Sequence, residues 1–129
     1  MVLPKEIKTI LVVDDDSTQL RLLQDRLGKS GYTVTTGCEA AEGLQLAMDT
    51  APDLIVLDVM MPVINGYNFC KLHKNEEDKK DIPIILVTSR DKREDAEIGI
   101  EMGADAYLTK PVNVDELLKT IKRIESMAS

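Results

Sequence analysis

The stretch ILVVDDD at residues 10–16 decides the fold, because a run of four apolar residues ends abruptly in three acids. Two further apolar runs, at residues 54–57 and 84–87, end in the same way at Asp58 and Thr88. Short runs that are apolar at every position and rich in Val and Ile are typical of parallel strands buried on both faces. The three runs therefore predict the central strands of a parallel sheet.

The rest of the chain supplies two weaker strands and a set of helices. Residues 33–36 and 106–109 predict two more solvent-exposed strands, at the edges of the sheet. Between the strands, apolar residues recur at helical spacing. These stripes contain Leu20, Leu23 and Leu27; Ala40, Leu44, Ala47 and Met48; Phe69 and Leu72; Ala96, Ile100 and Met102; and Val114, Leu117, Leu118, Ile121 and Ile124. Gly28 and Gly31 are expected to stop the first helix, and Asn113 to cap the last.

Alternating strands and helices predict an α/β fold with a doubly wound parallel sheet of five βα units. Right-handed crossovers restrict the winding, and placing the three most apolar strands in the centre gives the strand order 2-1-3-4-5, the flavodoxin-like arrangement. A chain of 129 residues that is 43% hydrophobic suits a single domain over residues 1–129. Such sheets bind ligands beyond the carboxyl ends of the strands, where the winding reverses between strands 1 and 3.

The composition argues against several classes of function. A formal net charge of −7 disfavours nucleic acid as a partner, since affinity for phosphate backbones comes mainly from Lys and Arg. No apolar run approaches the roughly 20 residues of a membrane span, and residues 1–8 hold no apolar signal segment. We therefore expect a cytoplasmic protein without membrane attachment. Cys38 and Cys70 fit neither a redox pair nor a zinc pattern and are expected to be reduced, partly buried thiols.

Carboxylates are expected to meet at the point where the winding reverses. Asp14, Asp15 and Asp16 follow the first strand and Asp58 ends the third, so at least two acids of the first group should face Asp58. Two carboxylates about 5 Å apart repel by roughly 3 kcal/mol at an effective dielectric near 20. Either a pKa rises or a cation fills the gap, and oxygen-only ligands with an open water position suit Mg²⁺. Asp58 would then be the nucleophile that takes a phosphoryl group.

Two more polar residues end strands at the same edge. Thr88 ends the fourth strand and can donate its hydroxyl, and Lys110 follows the fifth and can offer an ammonium group to a phosphoryl oxygen. Each alone would more often be a cap or a solvated loop residue. Together with the acids, they predict a phosphoryl-transfer site.

Four motifs, in this order and with this spacing, resemble the response-regulator receiver family. They are LVVDDD at residues 11–16, LIVLDVMMP at 54–62 followed by NG at 65–66, LVTS at 86–89 and YLTKP at 107–111. The resemblance covers nearly the whole chain, and the combination is far more specific than any single motif.

The resemblance implies a phosphoacceptor signalling domain, not an enzyme with a separate substrate. A histidine kinase or a histidine phosphotransfer protein would phosphorylate it with the help of Mg²⁺. The implied site residues are Asp58 as the phosphoacceptor; Asp15 as a direct Mg²⁺ ligand; Asp14, which positions the metal through water; Met60, whose backbone carbonyl binds the ion; Thr88 and Lys110 at the phosphoryl group; Tyr107 as the aromatic switch; and Pro111 after a cis peptide bond. Asp16 is expected to cap the first helix.

The implied output surface is the face formed by the fourth helix, the fifth strand and the last helix. A downstream protein or an effector domain would bind there, and the chain would be a monomer or a weak dimer through that face. The sequence leaves open which kinase and which target are involved. It also leaves open whether the chain is free-standing or part of a larger protein.

Two other functions fit parts of the sequence. Asp14-x-Asp16-x-Thr18 after an apolar strand also fits the nucleophile loop of haloacid-dehalogenase-type phosphatases. Such an enzyme needs a later acidic metal pair, but only the last helix follows Lys110, and Asp58 would have no role. An interaction module that never takes phosphate is the second alternative, and the complete set of acids, Thr and Lys opposes it.

Overall fold

The computed structural model describes residues 6–58, 82–88 and 104–127. Within these ranges the strands are β1 (Thr9–Val13), β2 (Thr33–Gly37), β3 (Leu54–Asp58), β4 (Ile84–Thr88) and β5 (Ala106–Thr109). The helices are α1 (Ser17–Lys29), α2 (Ala40–Thr50) and α3 (Val114–Met127). The predicted helices at Phe69 and Leu72 and at Ala96 to Met102 lie outside the described residues, as do Met60 and Cys70.

The five strands form one parallel sheet in the order β2-β1-β3-β4-β5, which confirms the predicted order. In the register of the sheet, Val13 at the end of β1 pairs with Gly37 of β2 and with Leu57 of β3. At the other side, Thr88 at the end of β4 pairs with Thr109 of β5. The carboxyl ends of all five strands are therefore level, and the residues that follow them share one edge.

Burial along the strands follows the hydrophobic pattern. Every residue of β3 and β4 is buried, whereas β2 and β5 are partly exposed, as expected for edge strands. Side chains alternate between the two faces of the sheet. One face packs against α1 and α3 through buried residues such as Leu27 and Ile121, and the other packs against α2 through Ala47.

The structure refines the end of the first helix and corrects one residue of the second. Of the two glycines predicted to stop α1, Gly28 lies inside the helix, which ends at Lys29, and Gly31 forms the left-handed turn that follows (φ 102°), where a glycine is favoured. In α2, Ala47 is fully buried but Met48 is 52% exposed, so its inclusion in the apolar stripe was wrong. Consecutive helix positions differ by about 100° in direction, so a face centred on Ala47 turns Met48 towards water. Cys38, between β2 and α2, is exposed and not partly buried as predicted.

Two aspartates hold the amino ends of the strands in register. Asp53, just before β3, accepts backbone N–H groups of Lys8 (2.9 Å) and Thr9 (3.0 Å) on its Oδ2 atom. Asp105, just before β5, accepts the N–H of Ile84 at 2.8 Å. Each carboxylate thus links neighbouring strands at their starts. This arrangement fixes which residues meet at the opposite edge.

In the portion of the chain that the structure describes, no helix combines the length and the apolar character that crossing a membrane requires.

Candidate functional site

Asp14, Asp15 and Asp58 form a carboxylate cluster at the carboxyl edge of the sheet. Asp14 directly follows β1 and Asp58 is the last residue of β3, the neighbouring strand. One carboxylate oxygen from each of the three residues lies within 4.8 Å of the others. Asp14 and Asp58 are only 3% and 4% exposed, whereas Asp15 is open to solvent. The structure therefore brings together the acids that the sequence predicted to meet.

The position of Asp14 is fixed on two sides. Its backbone N–H donates to the carbonyl oxygen of Gly37 at the end of β2 (3.0 Å), and its Oδ1 atom accepts the backbone N–H of Asp16 (2.9 Å). Sequence reasoning did not identify Gly37 as a contributor to the site. The signal available was a glycine at the end of the second predicted strand, beside the acidic loop.

Lys110 bridges the two buried acids. Its Nζ atom lies 3.2 Å from Asp58 Oδ2 and 3.6 Å from Asp14 Oδ2. Its backbone N–H donates to the carbonyl of Thr88 at 2.7 Å, which ties the loop after β5 to the end of β4. The sequence predicted Lys110 at this edge but did not predict its contact with Asp14.

Burial and neighbouring charges shift the pKa values of Asp14 and Lys110. Burial raises the pKa of Asp14 to about 6; the hydrogen bond from Asp16 lowers it, the negative charge of Asp58 raises it and Lys110 lowers it. Burial lowers the pKa of Lys110, but attraction to Asp58 and then to Asp14 outweighs this effect, so its pKa lies above the ordinary value. The net effect is that the folded protein favours the protonated form of Asp14 more than water does.

The other predicted residues on β4 and β5 lie near the same edge. Thr88 ends β4 and is fully buried, and the Lys110–Pro111 peptide bond is cis, as predicted.

Tyr107 is half-buried in β5 and pairs with Leu86, two residues before Thr88. Tyr107 also lines a cavity of about 360 Å³ between β5 and α3, together with Leu108, Glu116, Lys119, Thr120 and Arg123. Met60, the predicted backbone ligand, falls outside the described residues.

Asp16 has a different role from the other acids of its run. Its Oδ1 atom accepts the backbone N–H groups of Thr18 (3.0 Å) and Gln19 (3.3 Å), so it caps α1 as predicted. Its carboxylate is not a member of the cluster formed by Asp14, Asp15 and Asp58. A haloacid-dehalogenase-type loop would use Asp14 and Asp16 together, so the geometry opposes that alternative.

Comparisons with known proteins identify the family. The family model of the response regulator receiver domain matches residues 10–122. The chain is 43% identical over 117 residues to the alkaline phosphatase synthesis transcriptional regulatory protein PhoP of Bacillus subtilis, covering 91% of this chain and 48% of that protein. It is 36% identical over 115 residues to protein PilH of Pseudomonas aeruginosa, covering 89% of this chain and 95% of that protein.

Solved structures share the fold. The chemotaxis response regulator CheY4 of Vibrio cholerae superposes with a TM-score of 0.85 and 33% sequence identity, covering 92% of this chain and 99% of that one. The chain spans about half the length of several of the curated relatives it matches, among them PhoP. From the family match, the identities and the shared fold, we conclude that the chain belongs to the response regulator receiver domain family of two-component systems.

Proposed function

We propose that this receiver domain accepts a phosphoryl group on Asp58 in a reaction that depends on Mg²⁺. The observation that carries the proposal is the cluster of Asp14, Asp15 and Asp58, two of whose members, Asp14 and Asp58, contact Lys110. An acceptor carboxylate, further acids for a cation and an ammonium group for phosphoryl oxygens are the groups this chemistry requires.

The donor set fits Mg²⁺. The cluster offers only oxygen ligands, and one of its members, Asp15, is exposed, which suits an ion that keeps several waters. Three carboxylates and the ammonium of Lys110 leave two negative charges when all are ionised, which a divalent cation would neutralise. Asp15 and Asp58 would hold the ion directly and Asp14 through water, with the backbone carbonyl of Met60 as a further ligand. The bound ion would supply positive charge to the oxygens of the incoming phosphoryl group.

In the transfer step, a carboxylate oxygen of Asp58 attacks the phosphorus of a phosphohistidine on the donor. The new bond is Asp58 O–P, the P–N bond to the imidazole breaks, and the leaving imidazole nitrogen takes a proton from water. Lys110, within 3.2 Å of Asp58, is placed to pair with a phosphoryl oxygen, and the hydroxyl of Thr88 can donate to another. The new group adds about −1.5 to −2 charge at pH 7.

The partners follow from the family and the proposed chemistry. Receiver domains of response regulators interact with histidine kinases and with effector domains. For this chain we propose a histidine kinase or a phosphotransfer protein as the donor, and a cytoplasmic location.

We further propose that Thr88 moves towards the phosphoryl group and that Tyr107 turns inward, which would remodel the face of β5 and α3 that a target binds. Strand alternation puts Tyr107 on the same face of the sheet as Leu86 and Thr88.

Phosphorylation can be tested with acetyl phosphate as a small donor. In the presence of Mg²⁺ we expect the mass of one phosphoryl group to appear on the protein, and borohydride reduction followed by peptide mass spectrometry should place it on Asp58. The Asp58→Asn variant should stay unmodified, and so should wild type in EDTA. Label on Asp14 in wild type would instead support the phosphatase alternative and overturn the proposal.

Metal binding can be tested separately by titration with Mg²⁺. We expect the Asp15→Asn variant to bind Mg²⁺ at least about tenfold more weakly than wild type, because it loses a direct carboxylate ligand. Asp25→Asn is a matched control, since it removes the same charge from an exposed residue that pairs with Lys29. Equal affinity in wild type and Asp15→Asn would contradict the assignment.

The switch can be followed by NMR with beryllofluoride, a phosphoryl mimic. We expect large shifts for Tyr107 and for Lys119 and Arg123 of α3, which line the same cavity, and small shifts for Asp53 at the opposite edge. If the signals of Tyr107 and α3 stay in place while those of Asp58 move, the target surface lies elsewhere on the domain.

A further inference from the structure

Asp16 caps α1 with its side chain and contacts Asp14 with its backbone. Its backbone is extended (φ −90°, ψ 106°), and its side chain accepts two amides of the first helical turn. That turn contains no acidic residue of its own, so the carboxylate of Asp16 is the negative group next to the positive end of the helix dipole. These contacts restrain the backbone of Asp16, including the peptide unit between Asp15 and Asp16 that carries its N–H group.

The backbone of Asp16 also contacts the carboxylate of Asp14. The backbone N–H of Asp16 donates to Asp14 Oδ1 at 2.9 Å. The other oxygen, Oδ2, then faces Lys110 at 3.6 Å. A rotation of the Asp14 side chain that broke the first contact would also displace Oδ2 from the site.

We propose that Asp16 is a positioning residue: by capping α1 it holds its backbone N–H against Asp14 Oδ1, and so turns Asp14 Oδ2 towards Lys110 and the carboxylate cluster. The effect on metal binding rests on the proposed Mg²⁺ site. The effect on Asp14 itself does not, because it concerns the metal-free protein.

The hydrogen bonds of Asp16, and not its charge, carry this role. Asp16 is outside the cluster formed by Asp14, Asp15 and Asp58, which supplies the proposed ligands. Without an acceptor at this position the first turn of α1 loses its cap, and the peptide unit that holds Asp14 is free to reorient. Any side chain that caps should preserve the site, whether or not it is charged.

Three uncharged variants separate the two effects. Asp16→Asn and Asp16→Ser keep a good N-cap acceptor, and Asp16→Ala removes it, while all three lose the same charge. Asn113→Ala is the matched control for a lost cap, because Asn113 Oδ1 accepts the N–H of Glu116 (3.1 Å) at the start of α3. That variant should be destabilised to a similar degree without disturbing Asp14.

The first readout is the affinity of the purified protein for Mg²⁺. We expect Asp16→Ala to bind about three- to tenfold more weakly than Asp16→Asn or Asp16→Ser, which corresponds to the loss of a cap of ordinary strength. Asn113→Ala should stay within about twofold of wild type. The inference is overturned if the alanine and asparagine variants at position 16 bind alike, or if Asn113→Ala loses as much affinity.

The second readout is hydrogen exchange of the Asp16 amide without metal. We expect the amide to be protected in wild type, Asp16→Asn, Asp16→Ser and Asn113→Ala, and to lose protection in Asp16→Ala. If wild type does not bind Mg²⁺, the proposed function fails and this readout alone decides the positioning role. Equal protection in all variants would overturn it.

Discussion

Burial of two carboxylates at the ends of neighbouring strands is the constraint on which the site depends. Asp14 and Asp58 are almost completely buried on neighbouring strands, and Lys110 contacts both. Burial raises the pKa of Asp14 to about 6 in spite of that ammonium group and the hydrogen bond from Asp16. Ionised carboxylates in such a setting favour a cation. The proposed Mg²⁺ site and the proposed phosphoacceptor role of Asp58 both rest on this pair of buried carboxylates.

Aspartates have different roles at the two edges of the sheet. At the amino edge, Asp53 and Asp105 accept backbone N–H groups from adjacent strands, so the carboxylates fix the register. At the carboxyl edge, one oxygen of Asp14 accepts a backbone N–H group, and the other oxygen faces Lys110. Rigidity at one edge and the fully buried strands between the edges allow charge to be concentrated at the other, because the acids there cannot simply move apart.

Much of this arrangement was predictable from the sequence. The strand order and the meeting of Asp14 and Asp58 follow from three short apolar runs and from the rules of parallel sheets. Side-chain detail was not predictable to the same degree. Helical spacing could not tell that Ala47 is buried while Met48 is exposed, since the two are adjacent on the helix. The contact of Lys110 with Asp14 depends on the path of a long side chain, which no sequence pattern encodes.

The most direct test compares the unfolding free energy of wild type and Asp14→Asn as a function of pH without divalent cations. Because the folded-state pKa of Asp14 is raised from 3.8 to about 6, the stability associated with its protonated form is complete below 3.8 and is lost as the pH rises through about 6. We expect Asp14→Asn to be more stable than wild type by about 1–3 kcal/mol at a pH of about 7.5, and the two to converge near pH ~4. Added Mg²⁺ should stabilise wild type more than the variant. A variant that is no more stable than wild type at a pH of about 7.5 would contradict the claim that burial destabilises the ionised carboxylate of Asp14 more than its partners stabilise it.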